Sequence, residues 1–274
     1  MRRIEVIVTV HVESHNKFFS DLHLGHIKFF ELLLKKECKV PMTLLIERSK
    51  DVSSCYADDK PFIDEIRKQN IMEVGLHIHP ALSRYTYDEQ KQRITDEHNL
   101  FTDAFGFAPK SFSGGHWCIN NDTVKVISEL GIVTDASVVP GCTVAAHNGT
   151  IVKYSDKFIK PYWICDNNLS KEAPISNILE LPVSVVEDGQ LVDIGRAETK
   201  VILDALYKMS LSNLVSSYLH MTFHSYDLLF ANGKHNYMYD KILLIADSLR
   251  YCFDEVNFYT CYNYYLLKKG GKRT

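Results

Sequence analysis

The sequence predicts an α/β fold, a distorted (β/α) barrel of seven or eight mostly parallel strands in a single domain over residues 1–274. Apolar segments of strand length alternate with segments of helical periodicity, which is typical of parallel strands joined by crossover helices. The predicted strands are nearly continuous apolar runs, as expected where both faces of a parallel sheet are covered. Polar residues stand where several strands end, and those positions share one edge of a parallel sheet.

The first half of the chain follows this alternation from its start. Residues 4–10 are β-branched and apolar, which predicts a buried first strand. Apolar residues at helical spacing predict a first helix over residues 21–36, and Pro61 can open a short helix at its first turn. Further strands are predicted at residues 42–46 and 72–79.

The second half continues the alternation with one interruption. Residues 140–176 are rich in glycine, asparagine and aromatic residues, so we expect hairpins or a loop over one end of the barrel there. The basic C-terminal tail is expected to be solvated. Helices are predicted at residues 88–105, 123–130, 197–218 and 239–253, and strands at residues 110–115, 132–136, 178–183, 219–224 and 256–261.

Composition excludes several classes of protein. The formal net charge is -3, so no nucleic-acid or membrane-surface partner is expected. The 7 cysteines form no CxxC pair, which argues against a disulfide framework. No apolar stretch has the length of a transmembrane segment, and the N-terminal apolar run is too short and too acidic for a signal peptide. The expected localisation is cytoplasmic.

The most informative stretch is Glu73-Val74-Gly75-Leu76-His77-Ile78-His79-Pro80. If residues 72–79 form a strand, His77 and His79 leave the same face of the sheet because they are two residues apart. A lone histidine is more often structural, but burying two imidazoles on one face is costly unless they have partners. The pair therefore predicts half of a metal site.

The other half should come from a second strand end. His11 and Glu13 have the same two-residue spacing, so their side chains point the same way. Glu13, His77 and His79 together form a two-histidine, one-carboxylate ligand set for one divalent metal ion. Zinc is the expected metal, and nickel, cobalt or iron also suit these ligands. Two more polar groups end predicted strands: the turn Gly114-Gly115-His116, and His224 with Asp227.

Over about the first 230 residues, these segments resemble in order the motifs of the polysaccharide deacetylase family, the NodB-homology domain of carbohydrate esterase family four. The resemblance implies a distorted (β/α) barrel that removes N-acetyl or O-acetyl groups from sugars with a bound divalent metal. The segments that carry it are His11 to Glu13, Glu73 to Pro80, Ser111 to Trp117 followed by Leu130-Gly131 and Asp135-Ala136-Ser137, Glu180 to Ser184, and Thr222 to Asp227.

The resemblance also implies a role for each site residue. The implied roles are catalytic base for His11, metal ligand for Glu13, His77 and His79, catalytic acid for His224 with Asp227 to orient it, and oxyanion or substrate contact for Ser113, Gly114, Gly115, His116 and Trp117.

Two positions depart from the family pattern. The base, usually a carboxylate, is His11, and the arginine that normally braces this carboxylate is Ser113. The changes fit together, since a nearby guanidinium would lower the pKa of a histidine base. Two interpretations stay open: a site rebuilt around a histidine base, or a site in which His11 is a fourth ligand that closes the metal.

The expected function is metal-dependent hydrolysis of the N-acetyl or another N-acyl group of an amino sugar in surface polysaccharide or glycan biosynthesis. The expected substrate is an acylated amino sugar, presented as a sugar nucleotide or a lipid-linked glycan. The alternatives are an inactive carbohydrate-binding or scaffold protein of the same fold, a deformylase and an O-acetyl esterase.

Overall fold

The computed structural model describes residues 1–13, 40–47, 64, 68, 72–79, 81–146, 148–185, 192–195, 197–211, 216–228 and 237–270. The helix predicted at residues 21–36 lies outside this set. So does most of the short helix predicted after Pro61, although Asp64 and Lys68 are described and helical.

The described part of the chain contains one large, mostly parallel sheet. The described strands are β1 (Arg3–Val12), β2 (Met42–Glu47), β3 (Met72–Ile78), β4 (Ser111–Gly114), β5 (Thr134–Asp135), β6 (Thr143–Ala145), β7 (Ile151–Lys153), β8 (Tyr162–Cys165), β9 (Asn168–Ala173), β10 (Leu179–Glu180), β11 (Ser216–His224) and β12 (Glu255–Tyr259). The order in the large sheet is β11-β1-β2-β3-β4-β5-β10-β8-β9, with β12 also paired to β1.

Strand β1 has three partners among the described strands of this sheet. It pairs in parallel with β11 along one edge, and with β12 and then β2 along the other. Parallel pairing continues from β2 to β5 and on to β10, so the described residues include eight parallel strands of the sheet. The predicted distorted (β/α) barrel is confirmed.

The segment at residues 140–176 forms two antiparallel hairpins, as expected. One pairs β6 with β7, and the other pairs β8 with β9 and joins the large sheet through β10. Tyr154, just after β7, is buried against Val138 and Val139. The hairpins therefore pack beside the end of the sheet at which β5 finishes.

Helices lie outside the sheet and begin and end at residues suited to those positions. The described helices are α1 (Tyr87–Phe105), α2 (Asn121–Glu129), α3 (Thr199–Leu211), α4 (Tyr237–Cys252) and α5 (Cys261–Gly270). Thr86 and Glu89 form a capping box at the start of α1, and Gly106 ends this helix with a positive φ of 74°. Asn120 caps α2 through its side chain.

Alternation along β1 separates the core from the barrel interior. Ile4, Val6, Val8 and Val10 belong to the main hydrophobic core, which includes apolar residues of the helices. The residues between them point to the opposite face, because successive side chains of a strand alternate. That interior row runs through Glu5, Ile7, Thr9, His11 and Glu13.

Several boundaries differ from the sequence prediction, two of them because of contacts between distant parts of the chain. The helix predicted at residues 197–218 ends at Leu211, because residues 216–218 pair with residues 3–5 of β1. The last predicted strand ends at Tyr259, and Cys261 begins α5, which includes Lys268 and Lys269 of the basic tail. Local periodicity could not reveal either change, since long-range pairing decides both.

Candidate metal centre and catalytic site

The carboxyl ends of β1 and β3 bring the predicted ligands together. Strand β2 lies between these strands, with Leu45 opposite His11 and Glu47 opposite His77. Glu13 follows the last residue of β1, and His79 follows the last residue of β3 rather than lying within the strand. Both therefore reach over the same edge of the sheet.

One oxygen of Glu13 is the centre of the cluster. Glu13 Oε1 lies 3.2 Å from His77 Nε2 and 3.3 Å from His79 Nε2. His224 Nε2 is 3.7 Å from the same oxygen. Glu13 and His77 are buried, and the side chain of His79 is 18% exposed, so the cluster has one side open to solvent.

The tautomer of His77 decides what can lie between its Nε2 and Glu13 Oε1. His77 Nδ1 is 2.8 Å from the Ser113 carbonyl oxygen, which can only accept, so Nδ1 carries the hydrogen. In the neutral ring, Nε2 then presents a lone pair to Glu13 Oε1. A lone pair facing a carboxylate oxygen at 3.2 Å is repulsive unless a cation or an additional proton lies between them.

The spacing of these atoms fits a metal ion. Zinc binds nitrogen and carboxylate oxygen at about 2.0–2.2 Å, so two ligands of a tetrahedral site lie about 3.3 Å apart. The two Glu13 distances, 3.2 Å to His77 and 3.3 Å to His79, match this separation. Candidate ligand atoms of Glu13, His77 and His79 all lie within 4.8 Å of one another. The donor set therefore fits a divalent transition metal.

His11 lies directly beside this cluster. Its ring stacks on that of His77, with the centroids 4.4 Å apart, and meets His224 edge to face at 5.2 Å. Burial, together with the neighbouring imidazoles of His77 and His224, holds the pKa of His11 well below its usual range. His11 also forms a second compact group with Glu13 and His224, so its atoms are within reach of the same centre.

His224 is held by Asp227 on the side away from Glu13. Asp227 Oδ2 accepts the backbone N–H of His224 at 2.8 Å and lies 3.7 Å from its Nδ1. Burial alone would lower the pKa of His224, but the adjacent Asp227 carboxylate and the nearby charge of Glu13 outweigh burial and raise it. Gly195 permits this arrangement, since a Cβ there would lie 2.0 Å from Asp227 Oδ2.

The turn after β4 packs against the open side of the cluster. A Cβ on Gly115 would lie 2.6 Å from His79 Nδ1, so only glycine allows the backbone to approach this ring. His116 and Trp117 both have positive φ, 55° and 54°, which non-glycine residues seldom adopt. The ring of His116 meets His79 at 4.8 Å, and that of Trp117 lies 5.6 Å from His11.

Two hydrogen bonds of this turn bear on its predicted role. The Ser113 hydroxyl donates to the Ala136 carbonyl at 3.3 Å, and its oxygen is 3.5 Å from His11 Nε2. The Gly114 amide donates to Ser137 Oγ at 2.9 Å. An oxyanion contact from this turn must therefore come from an amide other than that of Gly114.

Sequence reasoning missed two acidic residues of the site. Glu47 ends β2 beside His77, is buried, and its charge contributes to raising the pKa of His79 against the effect of burial. Its position at the end of an apolar strand is a signal that could have identified it. Asp193 groups with His224 and Asp227, but it lies on an isolated bridge to Thr222 that no sequence pattern marks.

Comparison with known proteins gives structural neighbours only. No protein-family model matches the sequence, and no curated protein matches it. The fold aligns with a protein from Mycobacterium smegmatis assigned as a polysaccharide deacetylase, with a TM-score of 0.64, 16% identity, and coverage of 99% of this chain and 92% of that chain. The chain has the polysaccharide deacetylase fold. The predicted resemblance is confirmed at the level of the fold.

Other neighbours show that this fold carries more than one activity. The Puue allantoinase aligns with a TM-score of 0.65 and 11% identity over 98% of this chain and 91% of that one. A 4-alpha-glucanotransferase from Thermococcus litoralis aligns with a TM-score of 0.64 and 17% identity over 98% of this chain but only 41% of its own length. The reaction of the present protein must therefore be inferred from its site.

None of the described helices combines the length and apolar character needed to cross a membrane.

Proposed function

We propose that the protein is a metal-dependent hydrolase that removes the acetyl or another acyl group from the nitrogen of an amino sugar. The observation that carries the proposal is the 3.2 Å approach of His77 Nε2, in the tautomer fixed by Ser113, to Glu13 Oε1. This contact requires a cation or an additional proton, and its length matches the separation of two ligands in a tetrahedral site, which favours a metal. The proposed ligands are Glu13, His77 and His79.

The proposed reaction divides the work among the histidines. When bound, a divalent metal supplies polarisation of the acyl carbonyl and a lower pKa for the attacking water. His11 accepts the proton of that water, because its low pKa keeps the ring neutral near pH 7 and leaves a nitrogen lone pair available. His224 donates a proton to the departing amine from Nε2, the nitrogen that faces the cluster.

The surrounding residues orient these groups. Asp227 holds the backbone and Nδ1 side of His224, which leaves Nε2 directed toward the substrate. The amides that follow Gly114 in the turn stabilise the oxyanion, since the Gly114 amide is bonded to Ser137. His116 and Trp117 border the open side of the site and would contact the sugar. We propose a sugar nucleotide or a lipid-linked glycan as the form in which the acylated amino sugar is presented.

A specific observation favours a second candidate function. His11, Glu13 and His224 also form a group compact enough to hold a metal. If His11 were a ligand, the metal would have no open position for water, and the protein would be a carbohydrate-binding or scaffold member of the fold.

A panel of acyl sugars tests the proposal. Protein loaded with zinc, nickel or cobalt is incubated with formamido, acetamido and O-acetyl sugars, and release of formate or acetate is measured. We expect the protein to release the acid from an N-acyl sugar. This release should stop when the metal is chelated and return when the metal is added back. Release only from the formamido or only from the O-acetyl sugars would assign the protein as a deformylase or an esterase.

X-ray absorption of the zinc-loaded protein separates the two candidate functions. If the protein is the proposed hydrolase, the spectrum should show the same number of imidazole ligands on the metal in His11→Ala as in the wild type. Loss of one imidazole in His11→Ala, with no turnover of any acyl sugar by the wild type, would favour the binding protein.

A further inference from the structure

Two buried acids lie side by side in the barrel, apart from the proposed metal ligands. Asp135 in β5 and Glu180 in β10 are paired in register, and both are 0% exposed. Asp135 Oδ1 accepts the Ser137 hydroxyl at 2.6 Å, and Glu180 Oε1 accepts the Val138 amide at 3.0 Å. The remaining oxygens, Asp135 Oδ2 and Glu180 Oε2, are buried and have no hydrogen-bonding partner among the described residues.

Two adjacent carboxylates in such an environment cannot both ionise near neutral pH. Burial raises the pKa of Asp135 to about 6. Burial and the charge of Asp135 raise the pKa of Glu180 well above its usual range. The titratable groups that face the pair also have raised pKa values and are uncharged at neutral pH, so they do not balance a second negative charge: Tyr154 near β7, Tyr162 in β8, Tyr218 in β11 and Cys261 in α5.

A short chain of hydrogen bonds joins this pair to the candidate site. Ser137 Oγ donates to Asp135 and accepts the Gly114 amide at 2.9 Å. Gly114 precedes Gly115, whose backbone lies against the ring of His79. The position of the turn beside His79 therefore depends on a serine whose hydroxyl is oriented by Asp135.

We propose that Asp135 and Glu180 share one proton and act through Ser137 as positioning residues for the turn Gly115–Trp117. With the proton in place, the carboxyl groups attract each other and Asp135 holds the Ser137 hydroxyl in line with the Gly114 amide. Removal of the proton at alkaline pH leaves two negative charges facing each other, pushes β5 away from β10 and loosens the turn. The effect on turnover rests on the proposed function, whereas the shared proton does not.

Infrared spectroscopy tests the shared proton without any substrate. The wild type at pH 7.5 is expected to show a carbonyl stretch of a protonated carboxylic acid that Glu180→Gln lacks. Glutamine can still accept the Val138 amide and can donate to Asp135, so the variant should fold. Glu172→Gln, an exposed substitution on β9, is the matched control and should keep the band. A wild-type spectrum identical to that of Glu180→Gln would overturn the proposal.

Hydrogen exchange of the Gly114 amide tests the connection to the turn. Ser137→Ala should lower the protection factor of this amide by up to about tenfold, the equivalent of one net hydrogen bond. In the wild type the protection should fall as the pair loses its proton at alkaline pH, and in Glu180→Gln it should not. Equal protection of Gly114 in the wild type and Ser137→Ala would overturn the positioning role.

Turnover gives a third result once an acyl sugar substrate is known. Ser137→Ala should lower kcat by about tenfold with little change in KM, as expected for a residue that orients the groups in contact with substrate. If no acyl sugar is hydrolysed, the proposed function fails, and the infrared and exchange results still decide the present inference.

Discussion

Strand β1 carries one glutamate near each end, and the two have different kinds of partner. Glu5, at the amino end, accepts hydrogen bonds from the Tyr264 hydroxyl at 2.6 Å and the Lys268 ammonium at 2.8 Å. Glu13, at the carboxyl end, faces imidazole nitrogens, one of which, in His77, presents a lone pair when the ring is neutral. Glu5 is satisfied by donors of the protein, whereas Glu13 is arranged around a position for a cation.

Strand β3 repeats this contrast. Glu73, near its start, accepts the Tyr262 amide at 2.8 Å, the Thr43 hydroxyl at 3.1 Å and the Ser111 hydroxyl. His77, near its end, joins the candidate metal centre. The amino end of the barrel thus uses its acids to hold α5, and the carboxyl end places its polar groups in the candidate metal centre. Burial is common to both ends, so the chemistry of the partners is what distinguishes them.

The largest expected effect is at the carboxyl end. His224→Ala should lower kcat on an acyl sugar by about 10²–10⁴-fold, the usual contribution of a general acid. The variant should keep its metal, because the proposed ligands are intact, and elemental analysis checks this. Hydrolysis at the wild-type rate would contradict the acid role, and loss of metal would make His224 a ligand.

A second prediction concerns His220, which lies in the same strand, β11, as His224. His220 donates from Nδ1 to the Leu181 carbonyl and accepts the Thr9 hydroxyl at Nε2, so both nitrogens have protein partners. Burial lowers the pKa of His220 to about 4. A lowered pKa means that the folded state resists protonation, so stability present above pH 6.5 should be lost as pH falls toward 4.

The loss from this one residue should approach about 3 kcal/mol in the free energy of unfolding. Urea unfolding at several pH values should show a weaker acid dependence in His220→Gln than in the wild type. Equal acid dependence in the two proteins would show that His220 does not resist protonation.

A third prediction concerns the amino end alone. Glu73→Ala leaves the Tyr262 amide and two hydroxyl groups without their acceptor, so the free energy of unfolding should fall by about 1–3 kcal/mol. Glu73→Gln keeps an acceptor oxygen and should lose less. Metal content should not change in either variant. Loss of metal in Glu73→Ala would show that the two ends are not independent.

The smallest expected effect is at the surface of the amino end. Lys268→Met removes the ion pair with Glu5, in which the lysine side chain is 35% exposed. The free energy of unfolding should fall by at most about 1 kcal/mol, and added salt should reduce the difference. A larger, salt-independent loss would mean that the ion pair is screened less than its exposure indicates.

Sequence reasoning predicted the carboxyl end better than the amino end, for a physical reason. Alternation on a strand fixes which side chains share a face, so the two-residue spacing of His11 with Glu13 and of His77 with His79 was enough to bring them together. The alternation of strands and helices was likewise enough for the barrel. The catalytic roles of these residues stay predictions.

The remaining features depend on contacts between distant parts of the chain. α5 is held by Glu73, which lies 189 residues from Tyr262 in sequence, and by Glu5, which lies 263 residues from Lys268. The basic tail therefore gave no sign of a helix. Asp193 reaches the site through one isolated bridge. The pairing of Asp135 with Glu180 requires the register of β5 and β10, which periodicity does not supply.

The most direct test of the metal centre is the metal content of untagged protein purified without added metal. The wild type is compared with the His77→Ala/His79→Ala double variant, and His220→Gln serves as the control for loss of a buried histidine. We predict about one equivalent of a divalent transition metal in the wild type and in His220→Gln, and little in the double variant. Wild-type protein without metal, even after incubation with zinc, nickel or cobalt, would contradict the proposed centre.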